Sequence, residues 1–163
     1  MPLHLELVTP ERVLFREDVD EVTLPTAEGE ITILPNHIQL VAALIAGVAR
    51  IKRTADTHRG VPLIEMVAVS SGFIEVREGS RVRVLADTAE RGHELELSVI
   101  EIAKERAARV MQEAVRSDDV SYVAAAALLE RELARYKVAR KHHRPHHVPT
   151  IDAANLPHDE NPA

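Results

Sequence analysis

Two hydrophobic periods divide this chain, and the change from one to the other near Asp87 constrains the fold more than any other feature. Before that point apolar side chains alternate. Leu3, Leu5 and Leu7 share one face with His4 and Glu6 opposite, and Val22 and Leu24 alternate with Glu21 and Thr23. Ile31 and Ile33 flank Thr32, and Ile38, Leu40, Ala42 and Leu44 continue the pattern. Residues 63–69, 73–76 and 81–85 add further short runs rich in β-branched side chains. A period of two sends successive side chains to opposite faces, as in a half-buried strand. Turn formers punctuate the runs at Thr9-Pro10, Glu28-Gly29, Pro35-Asn36, Ala46-Gly47, Arg59-Gly60-Val61-Pro62, Ser71-Gly72 and Glu78-Gly79-Ser80. No helix-length segment interrupts them, which disfavours a parallel βαβ sheet and favours a sandwich or barrel.

After Asp87 the spacing becomes helical. Ile100, Ala103, Ala107, Val110 and Ala114 form one seam, and Tyr122, Ala126, Leu129, Leu133 and Tyr136 form another. Arg116-Ser117-Asp118-Asp119 supplies a short loop between them with good N-cap residues, so the two helices are expected to be antiparallel neighbours. Pro145, Pro149, Pro157 and Pro162 then break any helix in a polar segment. The expected fold class is α+β. An N-terminal all-β sandwich over residues 1–86 precedes an antiparallel two-helix hairpin over 87–141 and a disordered His- and Pro-containing tail over 142–163.

Composition narrows the chemistry. Hydrophobic residues make up 45% of the chain, enough for a real core, but aromatics are 2%, so Val, Ile, Leu and Ala must build it. The absence of cysteine excludes disulfides, thiolate metal sites and a cysteine nucleophile. The longest apolar run, residues 40–49, is half of the roughly 20 residues that a membrane helix needs, so no direct membrane insertion is expected. There is no Gly-Lys-Ser or Gly-Lys-Thr of a phosphate-binding loop, no dinucleotide-binding glycine fingerprint and no nucleophile elbow around Ser70 and Ser71. No catalytic residue, nucleotide site or cofactor is expected. His142, His143, His146 and His147 cluster at the start of the tail. They read either as a transition-metal site or as a solvated tail, and the second is preferred because no pocket or supporting shell is evident.

Charge is unevenly placed. The chain carries a formal −6, yet residues 131–144 hold Arg131, Arg135, Lys137, Arg140, Lys141 and Arg144 against Glu132 alone. A short basic segment on an acidic body points to a local acidic target and away from a nucleic-acid surface. The alternative is a solvated helix end whose cations complement the helix dipole.

Four segments, in this order, resemble one known family. Glu28-Gly29-Glu30-Ile31, then Pro35-Asn36-His37-Ile38, then Val69-Ser70-Ser71-Gly72-Phe73-Ile74-Glu75-Val76, and last the junction Val84-Leu85-Ala86-Asp87-Thr88-Ala89-Glu90 are similar to the epsilon subunit of F-type, rotary ATP synthases. The likeness covers residues 2–140. It implies a non-catalytic subunit of the central stalk that binds the gamma subunit, rests on the membrane-embedded c-ring and helps couple proton transport to ATP synthesis. It implies a peripheral place on the cytoplasmic face of the plasma membrane. By the same resemblance, Glu28, Gly29, Glu30 and His37 face the c-ring. The helical hairpin, with Arg131, Arg135, Lys137, Arg140 and Lys141, is a regulatory element that can swing toward the catalytic alpha/beta hexamer and inhibit ATP hydrolysis. Asn36 stands where the family usually has glycine, and Gln39 where it often has proline. Some members bind ATP through an Asp-x-x-Arg-Ala run; here Val99 and Ile100 replace the arginine and alanine, and an aliphatic side chain cannot donate to a phosphate. A free-standing β-sandwich adaptor that pairs with partner helices is the competing reading.

Overall fold

The computed structural model describes residues 2–54, 62–114 and 119–143. Ten strands come first: β1 (Leu3–Val8), β2 (Val13–Val19), β3 (Glu21–Thr26), β4 (Gly29–Ile33), β5 (Leu40–Leu44), β6 (Gly47–Thr54), β7 (Pro62–Val69), β8 (Gly72–Arg77), β9 (Arg81–Ala86) and β10 (Ala89–Arg91). A single 3-10 turn, Gly92–Glu94, leads into helices α1 (Leu97–Ala114) and α2 (Asp119–His142). The sheet runs β10-β7-β6-β3-β5-β8-β9-β1-β2, with β4 paired to β3 off this path. Among the described residues only β1 and β9 pair in parallel; the other pairings are antiparallel.

Alternation dictates burial. Along β9, Val82, Val84 and Ala86 are buried while Arg81, Arg83 and Leu85 are exposed. The inward side chains of the strands meet in one aliphatic core containing Leu3, Leu5, Leu7, Phe15, Leu24, Ile33, Ile51, Ile74 and Val84. Burying each of the larger of these contributes roughly 1.5–3 kcal/mol relative to exposure. One expected strand position fails: Ile38 lies outside β5 and is 78% exposed. The reason is local. Asn36 adopts a left-handed φ of 63°, and the His37 amide donates to the Leu34 carbonyl, so the chain turns before β5 starts at Leu40.

The sheet extends past residue 86. β10 pairs with the last three residues of β7, and the junction is pinned at several points. The Arg91 guanidinium donates to the Leu14 carbonyl at 2.5 Å and lies 4.0 Å over the Phe15 ring. Arg12 grips Glu94 through two hydrogen bonds of 2.7 and 2.8 Å, and the same carboxylate accepts from the Arg91 amide at 2.8 Å. The helices therefore begin at Leu97, ten residues beyond the period change. At the other end α2 continues through His142, one residue into the segment expected to be tail. Residues 144–163, the loop at 116–118 and the turn at 59–61 lie outside the described residues.

α1 buries Ile100, Ala107 and Ala114 from its expected seam, but Val110 is exposed. The α2 seam is displaced. Ala125, Glu132, Ala134, Val138 and Ala139 are buried, while Tyr122 and Leu133 are exposed. Two partners explain this. α2 packs along α1 and also against β6, β7 and the 3-10 turn, so its C-terminal half is covered on two sides. Ala134, Val138 and Ala139 join Ala68, Leu95 and Ile100 in a second, smaller core, with Val48, Met66, Leu97 and Tyr136 packed around it.

Candidate functional site

Three surfaces carry the recognisable chemistry. The first is the turn between β3 and β4. Gly29 adopts a φ of 118°, a region favourable only to glycine, and Thr26 Oγ1 donates to its carbonyl at 2.6 Å. This holds Glu28, Gly29 and Glu30 out in solvent. Register places the turn at the end of the sandwich shared with the β5–β6 and β7–β8 turns: Thr26 pairs with both Gly29 and Leu44, and the Ile45 amide donates to the Pro25 carbonyl. Arg50 of β6 clasps Glu30 through two hydrogen bonds of 2.9 and 2.7 Å. The Arg50 contact holds the Glu30 carboxyl below its ordinary range, and Lys137 of α2 pulls in the same direction.

His37 is not beside them. It lies past the far end of β4, where the Asn36 amide donates to Ser80 Oγ at 2.8 Å and Gln39 donates to Glu78 at 2.9 Å, next to the β8–β9 turn. The His37 ring contacts the Ile38 carbonyl at 2.8 Å. Thus Glu28, Gly29 and Glu30 are grouped, and His37 stands at the opposite end of the same strand.

The second surface is the hairpin interface, where the basic residues of α2 divide into two sets. Lys137, Arg140 and Lys141 are exposed. Arg131 and Arg135 are engaged. Arg135 Nε donates to Glu90 Oε2 of β10 at 2.6 Å and its Nη1 to Glu132 Oε2 at 2.9 Å; Arg131 Nη2 reaches Glu132 Oε1 at 3.3 Å. Partial burial opposes the charge on Arg135, but Glu90 and Glu132 overcome it and raise its pKa. Tyr136 is held between Lys104 of α1, 4.0 Å from its ring centre, and Arg140, 5.7 Å away. The acidic partners were not singled out from sequence. Glu132 lies seven residues from both Ala125 and Ala139, all three buried, and that spacing is the signal that marks it as inward-facing.

The third surface was also missed. On the outer face of β5, β8 and β9, Val41, Ala43, Phe73 and Leu85 lie side by side, since Ala43 pairs with Phe73 and Phe73 with Leu85. Val41 is 73% exposed and Phe73 62%. These apolar side chains occupy the outward phase of their strands, opposite in parity to the buried Ile74 and Val84. That parity is legible in sequence once the inward phase is known.

At the start of α1, Val99 is exposed and Ile100 belongs to the second core. His142 rests on Gly92, where an added Cβ would come within 3.1 Å of the His142 ring, and His143 contacts the Ala139 carbonyl at 2.9 Å. Among the described residues no group of three His, Cys, Asp or Glu side chains is placed to hold a metal, and no helix is long and apolar enough to cross a membrane.

The ion pairs set a pH limit. Glu6 is held below its ordinary pKa by hydrogen bonds from Arg16 and then Arg83, Glu30 by Arg50, and Glu94 by Arg12. A carboxylate whose folded pKa is depressed adds stability that is present above its unfolded value and lost as pH falls through the folded one. The melting temperature should therefore be flat near neutrality and fall as pH drops below about 4.5, the ordinary glutamate value. A melting temperature that rises on acidification below that point would contradict the assigned pairs.

Comparison with known proteins agrees with this geometry. The family model for the ATP synthase delta/epsilon chain β-sandwich domain matches residues 2–92, which include β10 and end on the first residue of the 3-10 turn. The ATP synthase epsilon chain of Syntrophomonas wolfei is 41% identical over 137 residues, covering 84% of this chain and 93% of that one. The epsilon chain of Halalkalibacterium halodurans is 38% identical over 137 residues, covering 84% and 96%. Among solved structures, a chain of the Euglena gracilis mitochondrial ATP synthase shares the fold with a TM-score of 0.66 at 22% identity, over 82% of this chain and 78% of that chain. The likeness to epsilon chains thus runs through the sandwich and well into the helices, and the chain belongs to the ATP synthase delta/epsilon family, as an epsilon-type member.

Proposed function

We propose that this chain is the central-stalk rotor subunit of a proton-transporting F-type ATP synthase, non-catalytic itself, held at the cytoplasmic face of the membrane through the complex. What carries the reading is similarity to epsilon chains along most of the chain, together with an apolar sheet face left uncovered. The face of Val41, Ala43, Phe73 and Leu85 takes the gamma subunit. The exposed turn of Glu28, Gly29 and Glu30 takes the polar loops of the c-ring, and His37 serves a separate contact at the other end of the sandwich. Lys137, Arg140 and Lys141 are the exposed cations that meet acidic surface on the alpha/beta hexamer in an inhibitory state, because Arg131 and Arg135 are already held in ion pairs with Glu132 and Glu90.

Reconstitution with gamma and the c-ring tests each assignment. Phe73→Glu should weaken gamma binding at least about tenfold, the loss of roughly one buried aromatic contact, while leaving the melting temperature near that of the parent. Glu30→Ala should change stability by less than about 0.5 kcal/mol, as at other exposed sites, and loosen coupling between proton transport and ATP turnover. Truncation after Ala114, which removes α2, should leave ATP synthesis intact and speed ATP hydrolysis. Retained gamma affinity in Phe73→Glu would sink the assignment of that face. Unchanged hydrolysis in the truncated complex would reduce the hairpin to a structural element, and failure of the chain to co-purify with gamma at all would favour a free-standing adaptor.

A further inference from the structure

Arg135 is placed unlike the other cations of α2. Its guanidinium bridges two carboxylates on different bodies: Glu90 belongs to β10 of the sandwich, 2.6 Å away, and Glu132 belongs to its own helix, 2.9 Å away. Glu132 is 3% exposed, and among the described residues its ion-pair partners are Arg131 and Arg135, both on its own helix. Around this cluster the interface between hairpin and sandwich is built from small or flexible side chains. Ala134, Val138 and Ala139 face Val48, Met66 and Ala68. Such a contact removes little apolar area per residue and fixes orientation weakly. A charge-assisted bond with a rigid fork supplies the direction that the apolar contact lacks.

We infer, resting on the proposed role of the hairpin as a movable regulatory element, that Arg135 is the latch that holds the hairpin on the sandwich, with Glu90 as its keeper and Glu132 as a counter-charge that stays with it when the latch opens. The consequence follows from which atoms part. When α2 leaves the sheet, the Arg135–Glu90 pair separates, but the Arg135–Glu132 and Arg131–Glu132 pairs move as one unit. Glu90 already has a side chain 34% exposed, so it returns to water with little desolvation to recover. Losing a buried ion partner is costly when the remaining charge is stranded. Here neither charge is stranded, so the interface is specific when closed and inexpensive to open. A latch of this kind also explains why the most engaged arginine on α2 pairs with β10, the last strand before the helices: the bond sits beside the junction of sandwich and hairpin and aligns the first contact on reclosing.

The chain contains no cysteine, so two can be introduced for labelling without background. Glu11→Cys on the sandwich and Arg109→Cys on α1 are both exposed. Spin labels at these sites in the full chain report the docked and undocked populations as a distance distribution, and circular dichroism reports helix content. Glu90→Gln and Arg135→Gln should each raise the undocked-to-docked ratio about tenfold with helix content unchanged, the scale of one charge-assisted hydrogen bond. The double variant should be no worse than the more affected single, because both remove the same bond. Arg135→Lys, which keeps the charge and loses the fork, should fall between parent and Arg135→Gln. Arg131→Gln combined with Glu90→Gln is the control and should be additive. An unchanged ratio in both single variants, or additive effects of Glu90→Gln and Arg135→Gln, would overturn the latch. Loss of helix content in Arg135→Gln alone would show that the arginine supports the helix pair and not its docking; Glu90→Gln, which changes no residue of the hairpin, distinguishes the two.

Discussion

Gly72→Ala should destabilise the sandwich by at least about 3 kcal/mol, at the upper end for overpacking, and leave most of the chain unfolded or aggregated when expressed. A Cβ at this position would lie 1.9 Å from the Leu85 carbonyl oxygen and 2.9 Å from its carbon. Both are backbone atoms of the adjacent strand, so no side-chain rotation relieves the overlap. Gly72 pairs with Ala86 at the first register position of β8 against β9, and also with Leu44 of β5. Forcing these strands apart breaks the ladder on both sides of β8 at once. Denaturant unfolding of Gly72→Ala beside Ser71→Ala measures the effect. Ser71 is exposed and its hydroxyl donates to the Asp87 carboxylate at 2.8 Å, a surface bond, so its variant should stay close to the parent. Equal stability for the two variants would mean that β8 and β9 are spaced differently from the arrangement described here.

The second large effect concerns where the sandwich ends. A fragment of residues 1–96 should fold alone, with a β-type circular dichroism spectrum and a single cooperative transition. A fragment of residues 1–86 should melt roughly 10 °C lower, since a loss of about 2 kcal/mol shifts a domain of this size by that amount. The shorter fragment lacks β10, whose Ala89 is buried in the main core, and lacks Arg91 and Glu94. It therefore loses the bond to the Leu14 carbonyl, the cation over Phe15, and the Arg12–Glu94 clasp. Identical melting of the two fragments would place the domain boundary at the change of period after all. A longer fragment without cooperative unfolding would mean that the sandwich depends on the hairpin packed over Val48, Met66 and Ala68.

Much of this was readable in the residues themselves. Strand alternation is a local property of the backbone, so the shared faces of Leu3, Leu5 and Leu7, of Val22 and Leu24, and of Ile33 followed from period two alone and do form the core. Helical spacing marked Ile100, Ala107 and Ala114 correctly for the same reason. Misreadings arose where a residue answers to two partners. Ile38 continued an alternating pattern but falls in a turn set by Asn36 and Ser80, which are 44 residues apart in sequence. The seam of α2 was read as though α1 were its only neighbour. Contact with β6 and β7 on a second side moved the burial onto Ala134, Val138 and Ala139.

The candidate sites divide in the same way. The sequence by itself determined that Gly29 and Asn36 make turns, that α2 is basic toward its end, and that the chain carries the ordered motifs of its family. Those are statements about neighbours in the chain, where propensity and spacing act directly. Only the tertiary structure decided that Glu30 is clasped by Arg50, that His37 stands at the other end of β4, that Val41, Phe73 and Leu85 share one open face, and that Arg135 is committed to Glu90. Each of these depends on strand register or on helix docking between residues 12 to 45 positions apart. A charge read from sequence has a sign but no partner, and a partner is chosen by geometry that no local pattern encodes.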